Sequence, residues 1–240
     1  MRFIYLAGTH ENPFTYYLVV LIGDKEKTPE HEIANKIEDN CRHLASVFAI
    51  VHKLSSAREA IAKGRRFFNN TLYKSIKIYA AQNIEIPDSY AIDNQIWLER
   101  AEQIWNRWGM QGKGFMKGAV HYMDDGNYSL AVFSLHQAAE SSLIAIIYTV
   151  LGYRLTSHNL LRMIRITLLF TDEFKRVLQL DTPEGAQLFS LLLSAYSESR
   201  YKNEFNTEEQ SAKLLKIKVD LLLVKIEQVH QQFIKDKTTS

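Results

Sequence analysis

The stretch Ser134-Leu-His-Gln-Ala-Ala-Glu-Ser-Ser-Leu143 decides the fold of this 240-residue chain. It lies in the middle of a run whose apolar residues recur at helical spacing, which predicts a core-facing helix over 127–151. His136 and Glu140 interrupt the apolar pattern, and a separation of four residues puts both side chains on one face of that helix. The residues alone are interpreted most simply as a buried hydrogen-bonded pair that fixes the packing of two helices. A catalytic pair is the alternative.

Helical periodicity alone is found from about Ile96 onward. The pattern predicts helices over 97–124, 127–151, 158–170, 183–200 and 207–235. Gly109, Gly112 and Gly114 crowd the first of these helices, and each glycine costs about 1 kcal/mol relative to alanine. We therefore expect a break or a kink in the first helix.

Residues 1–80 have a different pattern, which is typical of a small α/β unit. Apolar runs rich in β-formers predict strands over Arg2–Ala7, Tyr16–Ile22 and Ser46–His52, and a further strand over Ser75–Tyr79. Helices are predicted from Thr28 to about Leu44 and from Ser55 to Gly64. Apolar residues show neither strand nor helix periodicity over 81–96, which we interpret as a linker. The sequence therefore predicts an α+β chain: an α/β domain over 1–80, then the linker, then an all-α bundle over 97–240.

The bulk composition is that of a globular protein, with 46% hydrophobic and 23% charged residues. A net charge of +2 does not indicate strong nonspecific binding to nucleic acid, although a local patch is compatible with it. A single cysteine, Cys41, excludes an internal disulfide framework and a cysteine-based zinc site. The N-terminus is unlike a signal peptide and the longest apolar run is short for a bilayer span, so we expect a cytoplasmic protein without a transmembrane helix.

Three motifs, in order along the helical half, carry a resemblance to a known family. The first leads from Gly126-Asn-Tyr-Ser-Leu-Ala-Val-Phe133 into His136-Gln-Ala-Ala-Glu140, the second is Gly152 followed by Thr156-Ser-His-Asn-Leu160, and the third is Ala195-Tyr196 before Arg200-Tyr201. Over about Glu99 to Ile234 the chain resembles the HEPN domain family of prokaryotic nucleotide- and RNA-associated proteins. The resemblance implies an antiparallel helical bundle that is usually dimeric.

Catalytic members of the HEPN family cleave RNA without a metal, through an arginine followed by a histidine after about four to six residues. The arginine binds phosphate by charge-assisted hydrogen bonds, and the histidine supports proton transfer near neutral pH. Arg200 fills the arginine position, but Tyr201-Lys-Asn-Glu-Phe-Asn-Thr207 contains no histidine. A ribonuclease would need His158 or His136 as a substitute. The missing histidine argues against RNA cleavage. Arg200 is expected either to bind phosphate or to form a structural ion pair with Glu140 or Glu204.

HEPN domains of this type are commonly fused behind a minimal nucleotidyltransferase domain, and residues 1–80 are similar to one in outline. Such enzymes carry an Asp-x-Asp motif entering the second strand and a third carboxylate on a later strand, which together hold two divalent metals. Here Thr15 and Tyr17 stand in place of the two aspartates, and Ser46–His52 contains no acid. Neutral side chains do not offset the charge of Mg²⁺, so nucleotidyl transfer is predicted to be lost.

Three functional hypotheses remain open from the sequence. The first is a non-catalytic HEPN protein that binds a nucleotide, an RNA or a protein partner, with a homodimer as the expected assembly and no membrane, metal or cofactor. The second is a toxin-like, metal-independent ribonuclease that uses Arg200. The third is a residual nucleotidyltransferase with Glu11, Asp24 and Glu30 as metal ligands. The candidate ligand- or phosphate-binding residues are Arg200, His136, Glu140, His158 and Tyr201.

Overall fold

A computed structural model describes residues 1–11, 13–82, 93–155, 158–201 and 207–238, and for 197–201 it describes the backbone alone. The chain divides into two compact units, Met1–Asp93 and Asn94–Ser240. The first unit contains a four-stranded sheet and the second is helical. The predicted α+β class is therefore confirmed. The predicted linker lies largely outside the described residues, and a helix already begins at Asn94.

Among its described residues, the first unit consists of a sheet and three helices. Its strands are β1 (Phe3–Glu11), β2 (Phe14–Ile22), β3 (Ser46–Lys53) and β4 (Ile76–Ala80), and its helices are α1 (Glu30–Cys41), α2 (Leu54–Ala62) and α3 (Arg66–Lys74). The strand order is β3-β2-β1-β4. Strand β1 is antiparallel to β2 and to β4, whereas β2 and β3 are parallel. A parallel pair needs a crossover connection, and α1 supplies it.

The two faces of this sheet bury different residues because side chains alternate along a strand. On one face, Val20 and Val51 form a core with Ala34 of α1. On the other face, Tyr17 is fully buried and its ring lies 5.5 Å from that of Phe48. Helix α3, which the sequence did not predict as a helix, buries Phe67 and Phe68.

The second unit contains seven helices among the described residues. They are α4 (Asn94–Ile104), α5 (Met110–Asp124), α6 (Tyr128–Leu151), α7 (Leu160–Thr167), α8 (Glu173–Leu178), α9 (Pro183–Tyr201) and α10 (Glu209–Thr238). Helix α6 is central and packs against α4, α5, α7, α9 and α10. It is long and apolar enough to cross a bilayer by length and composition, but 78% of its most apolar window is buried. Burial on all sides is expected of the core helix of a bundle.

Local signals fix the ends of α6. The Asn127 side chain accepts a hydrogen bond from the Leu130 backbone N–H, at 3.2 Å, which is the usual arrangement at a helix N-cap. Gly152 follows the last residue with φ 68°, in the left-handed region that favours glycine. The sequence therefore dictates both boundaries of the helix that carries His136 and Glu140.

The predicted helix over 97–124 is irregular. A π-helical turn, Trp105–Gly109, separates α4 from α5. Gly112 has a packing role, because a Cβ there would lie 2.3 Å from Ser142 Oγ and 3.0 Å from the Ala138 carbonyl oxygen of α6. A Cβ at Gly114 would meet nothing within 4 Å. Close packing of α5 on α6 thus requires Gly112 and not Gly114, whereas a Cβ at Gly109 would lie 3.0 Å from the Trp105 ring.

Candidate functional site

Three helices bring polar side chains together at one place in the second unit. Helix α6 contributes His136, Gln137 and Glu140, and α9 contributes Tyr196. His158 directly precedes the α7 N-cap residue Asn159, whose side chain accepts a hydrogen bond from the backbone N–H of Arg162. The cap fixes the start of α7 and with it the backbone that carries His158.

A buried carboxylate holds an exposed imidazole in this cluster. Glu140 Oε1 lies 2.6 Å from His158 Nδ1, with 8% of the Glu140 side chain exposed and 62% of the His158 side chain exposed. A carboxylate accepts hydrogen bonds, so His158 Nδ1 carries the hydrogen and donates it. The second ring nitrogen of His158, Nε2, is bonded to none of the described residues. His158 can therefore contact a ligand through Nε2 and through the exposed face of its ring.

Gln137 connects the same carboxylate to the second histidine. Its Nε2 atom lies 3.2 Å from Glu140 Oε2 and also 3.2 Å from His136 Nδ1. The direct distance from His136 Nδ1 to Glu140 Oε2 is 3.7 Å, which is too long for a hydrogen bond. Because the Gln137 amide donates, His136 Nδ1 accepts, and the hydrogen of the neutral ring sits on Nε2. His136 is 1% exposed, so it supports the cluster from inside the unit.

Tyr196 stacks with both imidazoles. Its ring centroid lies 5.2 Å from that of His136 with an interplanar angle of 28°, and 5.5 Å from that of His158 with an angle of 15°. The sequence singled out Ala195-Tyr196 as part of a motif but did not nominate Tyr196 or Gln137 as site residues. The three rings, held by Glu140 and Gln137, form what we call the ring cluster: His136, Gln137, Glu140, His158 and Tyr196.

The predicted phosphate-binding residues Arg200 and Tyr201 have side chains outside the described residues. The backbone of α9 continues as a helix through Tyr201, so position 200 follows Tyr196 by about one helical turn. The structure thus brings His136, Glu140 and His158 together. Ligand binding by these three residues, and the role of Arg200, stay predictions.

The first unit fills the positions of the expected metal ligands with neutral groups. Thr15 is 5% exposed, and its Oγ1 atom donates to the Pro13 carbonyl oxygen at 3.0 Å and lies 3.1 Å from Ser46 Oγ. Tyr17 is fully buried. Throughout the described part of the chain, no three His, Cys, Asp or Glu side chains are grouped so as to hold a metal ion.

Of the alternative metal ligands Glu11, Asp24 and Glu30, the last two accept hydrogen bonds within the first unit. Asp24 Oδ1 accepts the Ser55 backbone N–H at 3.0 Å, and hydrogen bonding to Ser55 lowers the pKa of this carboxyl. Glu30 Oε1 accepts the Lys53 backbone N–H at 2.9 Å, and Oε2 lies 3.5 Å from His52 Nδ1. Hydrogen bonding to His52 is the largest cause of the lowered pKa of Glu30. Both carboxylates therefore accept backbone N–H groups at the start of α2, where β3 ends.

Comparison with known proteins gives one family. The family described as HEPN domain matches residues 105–227, which is just over half of the 240-residue chain. No curated protein matches the chain.

The solved structures that are similar to the chain include the following two. The protein TT1696 from Thermus thermophilus is 21% identical, with a TM-score of 0.39, and the match covers 54% of this chain and 98% of that protein. A nucleotidyltransferase-like protein from Exiguobacterium sibiricum is 13% identical, with a TM-score of 0.32, and the match covers 91% of this chain and 64% of that protein. Neither similarity is close enough to carry an argument about function. The likeness of residues 1–80 to a nucleotidyltransferase stays a prediction.

Proposed function

Because the chain belongs to the HEPN domain family, which is associated with nucleotides and RNA, we propose that its second unit binds single-stranded RNA or a nucleotide at the ring cluster without cleaving it. The observation that supports this proposal is the exposed His158 ring, held by a buried carboxylate and stacked on Tyr196. A nucleobase that stacks on His158 would extend a stack of rings that already exists in the folded chain.

Stacking on aromatic and histidine rings is a common way to bind unpaired bases. The hydrogen bond to Glu140 and the contact with Tyr196 restrict the His158 ring before any ligand arrives. A restricted ring loses little conformational freedom on binding, and this increases affinity. The net charge of +2 provides little general attraction for nucleic acid, so affinity must come from local contacts of this kind.

Ribonuclease activity is the second candidate, and one observation favours it. A buried carboxylate bonded to Nδ1 of an exposed histidine orients the ring and leaves Nε2 to accept a proton, as in catalytic acid–histidine pairs. However, no histidine follows Arg200 at the family spacing, where Phe205, Asn206 and Thr207 stand. The ring cluster is therefore proposed to bind RNA or a nucleotide, and Glu140 to position the His158 ring for this contact.

Binding is tested by fluorescence anisotropy with labelled, single-stranded oligoribonucleotides and with His158→Ala. Loss of one stacked base weakens binding by about 1–3 kcal/mol, which corresponds to a roughly 5- to 150-fold increase in Kd. His121→Ala is the matched control, since this histidine is 75% exposed and lies 3.6 Å from Asp125 on α5, outside the cluster. Equal Kd values for wild type, His158→Ala and His121→Ala, or no binding by the wild type, would reject the proposal.

Cleavage is tested by incubating the same oligoribonucleotides with purified protein and a chelator and separating the products on a gel. We expect intact RNA after prolonged incubation. Cutting that is lost in His158→Ala and in Arg200→Ala, but retained in His121→Ala, would establish the ribonuclease instead.

A further inference from the structure

A cavity of about 450 Å³ opens on the surface of the second unit, where α10 lies beside the end of α6 and the turn that precedes α8. This volume is within the range of roughly 300–1,000 Å³ that is usual for small-molecule sites. No residue of the ring cluster lines the cavity. Val150, its wall residue on α6, lies about 15 Å along that helix from Glu140. The cavity, which we call the α10 cavity, is therefore separate from the ring cluster.

The walls of the α10 cavity include two aromatic rings, each of which is held by another ring. Phe233 packs edge-on against Trp97, with ring centroids 5.2 Å apart. Phe170 packs in the same way against Phe174, at 6.3 Å. The other apolar wall residues are Val150 and Val229. Because rings that are already fixed lose little freedom when a ligand packs on them, the cavity is pre-formed for an apolar body.

The polar part of the lining carries more negative than positive charge. Among the described residues it comprises two carboxylates, one ammonium group and four neutral or amide-bearing contacts at most, of which the charged members are Glu173, Asp236 and Lys225. Lys225 Nζ lies 2.8 Å from Glu173 Oε2, and these side chains are 34% and 38% exposed. Solvent therefore reaches both partners of this ion pair, and so can a ligand in the cavity.

The end of α6 adds negative potential at the same place. Val150 lies in the last turn of α6, which contains no basic residue. The carbonyl groups at the C-terminus of a helix carry partial negative charge and stabilise a nearby cation. Aromatic rings such as those of Phe170 and Phe233 also attract a cation that lies over their faces. The helix end, the rings and the excess of carboxylates all favour a positively charged ligand.

We propose that the α10 cavity binds a small organic cation that has an apolar body and a protonated amine. The apolar body packs on Phe170 and Phe233, and the ammonium group binds Glu173 near the end of α6. The ligand competes with Lys225 for this carboxylate, so the internal ion pair weakens its binding. The ligand differs in chemistry from the RNA or nucleotide proposed for the ring cluster, and neither site requires the other.

Charge selectivity is tested with three probes that share a phenyl ring and a two-carbon chain. They are 2-phenylethylamine, 3-phenylpropionate and 2-phenylethanol, which are positive, negative and neutral at pH 7.5. Binding is followed by the NMR shifts of the Val150 and Val229 methyl groups, with the Leu214 methyl groups, about 22 Å along α10 from Val229, as the reference. The amine should bind most tightly. Tighter or equal binding of the anion, or methyl groups that do not respond to the amine, overturns the proposal.

The ion pair provides a test in which two variants act in opposite directions. Lys225→Gln frees Glu173 and should tighten binding of 2-phenylethylamine. Glu173→Gln removes the carboxylate and frees Lys225, so it should weaken binding of the amine and tighten binding of 3-phenylpropionate. Each change in Kd should be up to roughly 5-fold, which is typical of one partly exposed ionic contact. An amine affinity that changes in the same direction in both variants, or in neither, contradicts the proposed contact.

Occupation of the cavity itself is tested by filling it. Val229→Trp places a large ring in the cavity and should abolish the response of the Val150 methyl groups to 2-phenylethylamine. Leu214→Trp is the matched control, because this residue lies on the same helix, is 44% exposed and is not part of the lining. It should bind the amine like the wild type. Retained binding in Val229→Trp, or equal loss in both variants, would place the ligand elsewhere and overturn the proposal.

Discussion

Acidification should destabilise the second unit through one buried histidine, His230. Its ring stacks on Trp105 with centroids 3.8 Å apart and an interplanar angle of 15°. The residue is 8% exposed, and no described group forms a hydrogen bond with its Nε2 atom. Burial lowers the pKa of His230 from 6.5 to about 4, and nearby Glu227 opposes part of that decrease.

The sign of the effect follows from the direction of this shift. Between pH 6.5 and about 4 the unfolded chain binds a proton at His230 that the folded chain does not. The free energy of unfolding therefore decreases as the pH falls through this window, and the full contribution is present above it. Single-site linkage gives a loss of about 2 kcal/mol between pH 7.5 and pH 5.0, and about 3 kcal/mol at the acid limit.

His230→Phe is the decisive variant because it keeps an aromatic ring against Trp105 and removes the titrating group. Its free energy of unfolding should lack this loss of about 2 kcal/mol between pH 7.5 and pH 5.0. At pH 7.5 it should equal or exceed that of the wild type, since an unpaired buried nitrogen costs about 1–3 kcal/mol. His121→Phe, at a side chain that is 75% exposed, should retain the wild-type pH dependence.

Urea unfolding monitored by tryptophan fluorescence measures this effect in the relevant unit, because all three tryptophans lie there: Trp97, Trp105 and Trp108. If wild type and His230→Phe lose the same free energy between pH 7.5 and pH 5.0, the assignment of the acid sensitivity to His230 is refuted.

Two further predictions concern packing and electrostatics. Gly112→Ala should destabilise the second unit by about 1–3 kcal/mol in the same urea assay, because its Cβ would lie 3.0 Å from the Ala138 backbone carbonyl oxygen and would also displace Ser142 Oγ, at 2.3 Å. Gly114→Ala, with open space around it, should instead stabilise α5 by up to about 1 kcal/mol. Comparable losses in both variants would contradict this account of the α5–α6 contact. In an NMR titration the pKa of the Glu30 carboxyl should lie below its ordinary 4.5 and should rise toward it in His52→Ala. The stability that Glu30 contributes is present above about pH 4.5 and is lost as the pH falls through its lowered pKa. A Glu30 carboxyl that titrates at its ordinary pKa would show that Glu30 makes no such contribution.

The features that the sequence predicted well are those set by local signals. Helix α6 has its Asn127 cap, its apolar periodicity and its Gly152 end within one continuous segment, and it was predicted over 127–151 against an observed Tyr128–Leu151. The proximity of His136 and Glu140 follows from helical geometry alone. Helix α8 was missed because six residues are too few to show a period.

The assembly of the ring cluster required tertiary contacts that no local pattern encodes. Tyr196 reaches the two histidines only because α9 packs on α6, and this packing depends on the whole bundle. Gln137 belongs to a sequence motif, but the bridge that its amide makes depends on the rotamers of its neighbours. In the first unit, by contrast, the main feature could be predicted from residue type alone. The missing carboxylates at Thr15 and Tyr17 were evident from residue type, and the structure adds that both side chains are buried.

The imidazole resonances of the second unit provide the most direct test of ligand binding at the ring cluster. His158 is assigned by the signal that disappears in His158→Ala, and His121 serves as the internal reference. On addition of a single-stranded oligoribonucleotide, the ring protons of His158 should shift upfield as a base stacks on them, with saturation matching the anisotropy Kd, while those of His121 stay in place. Unchanged His158 resonances at a concentration of RNA that saturates the protein would contradict binding at this site.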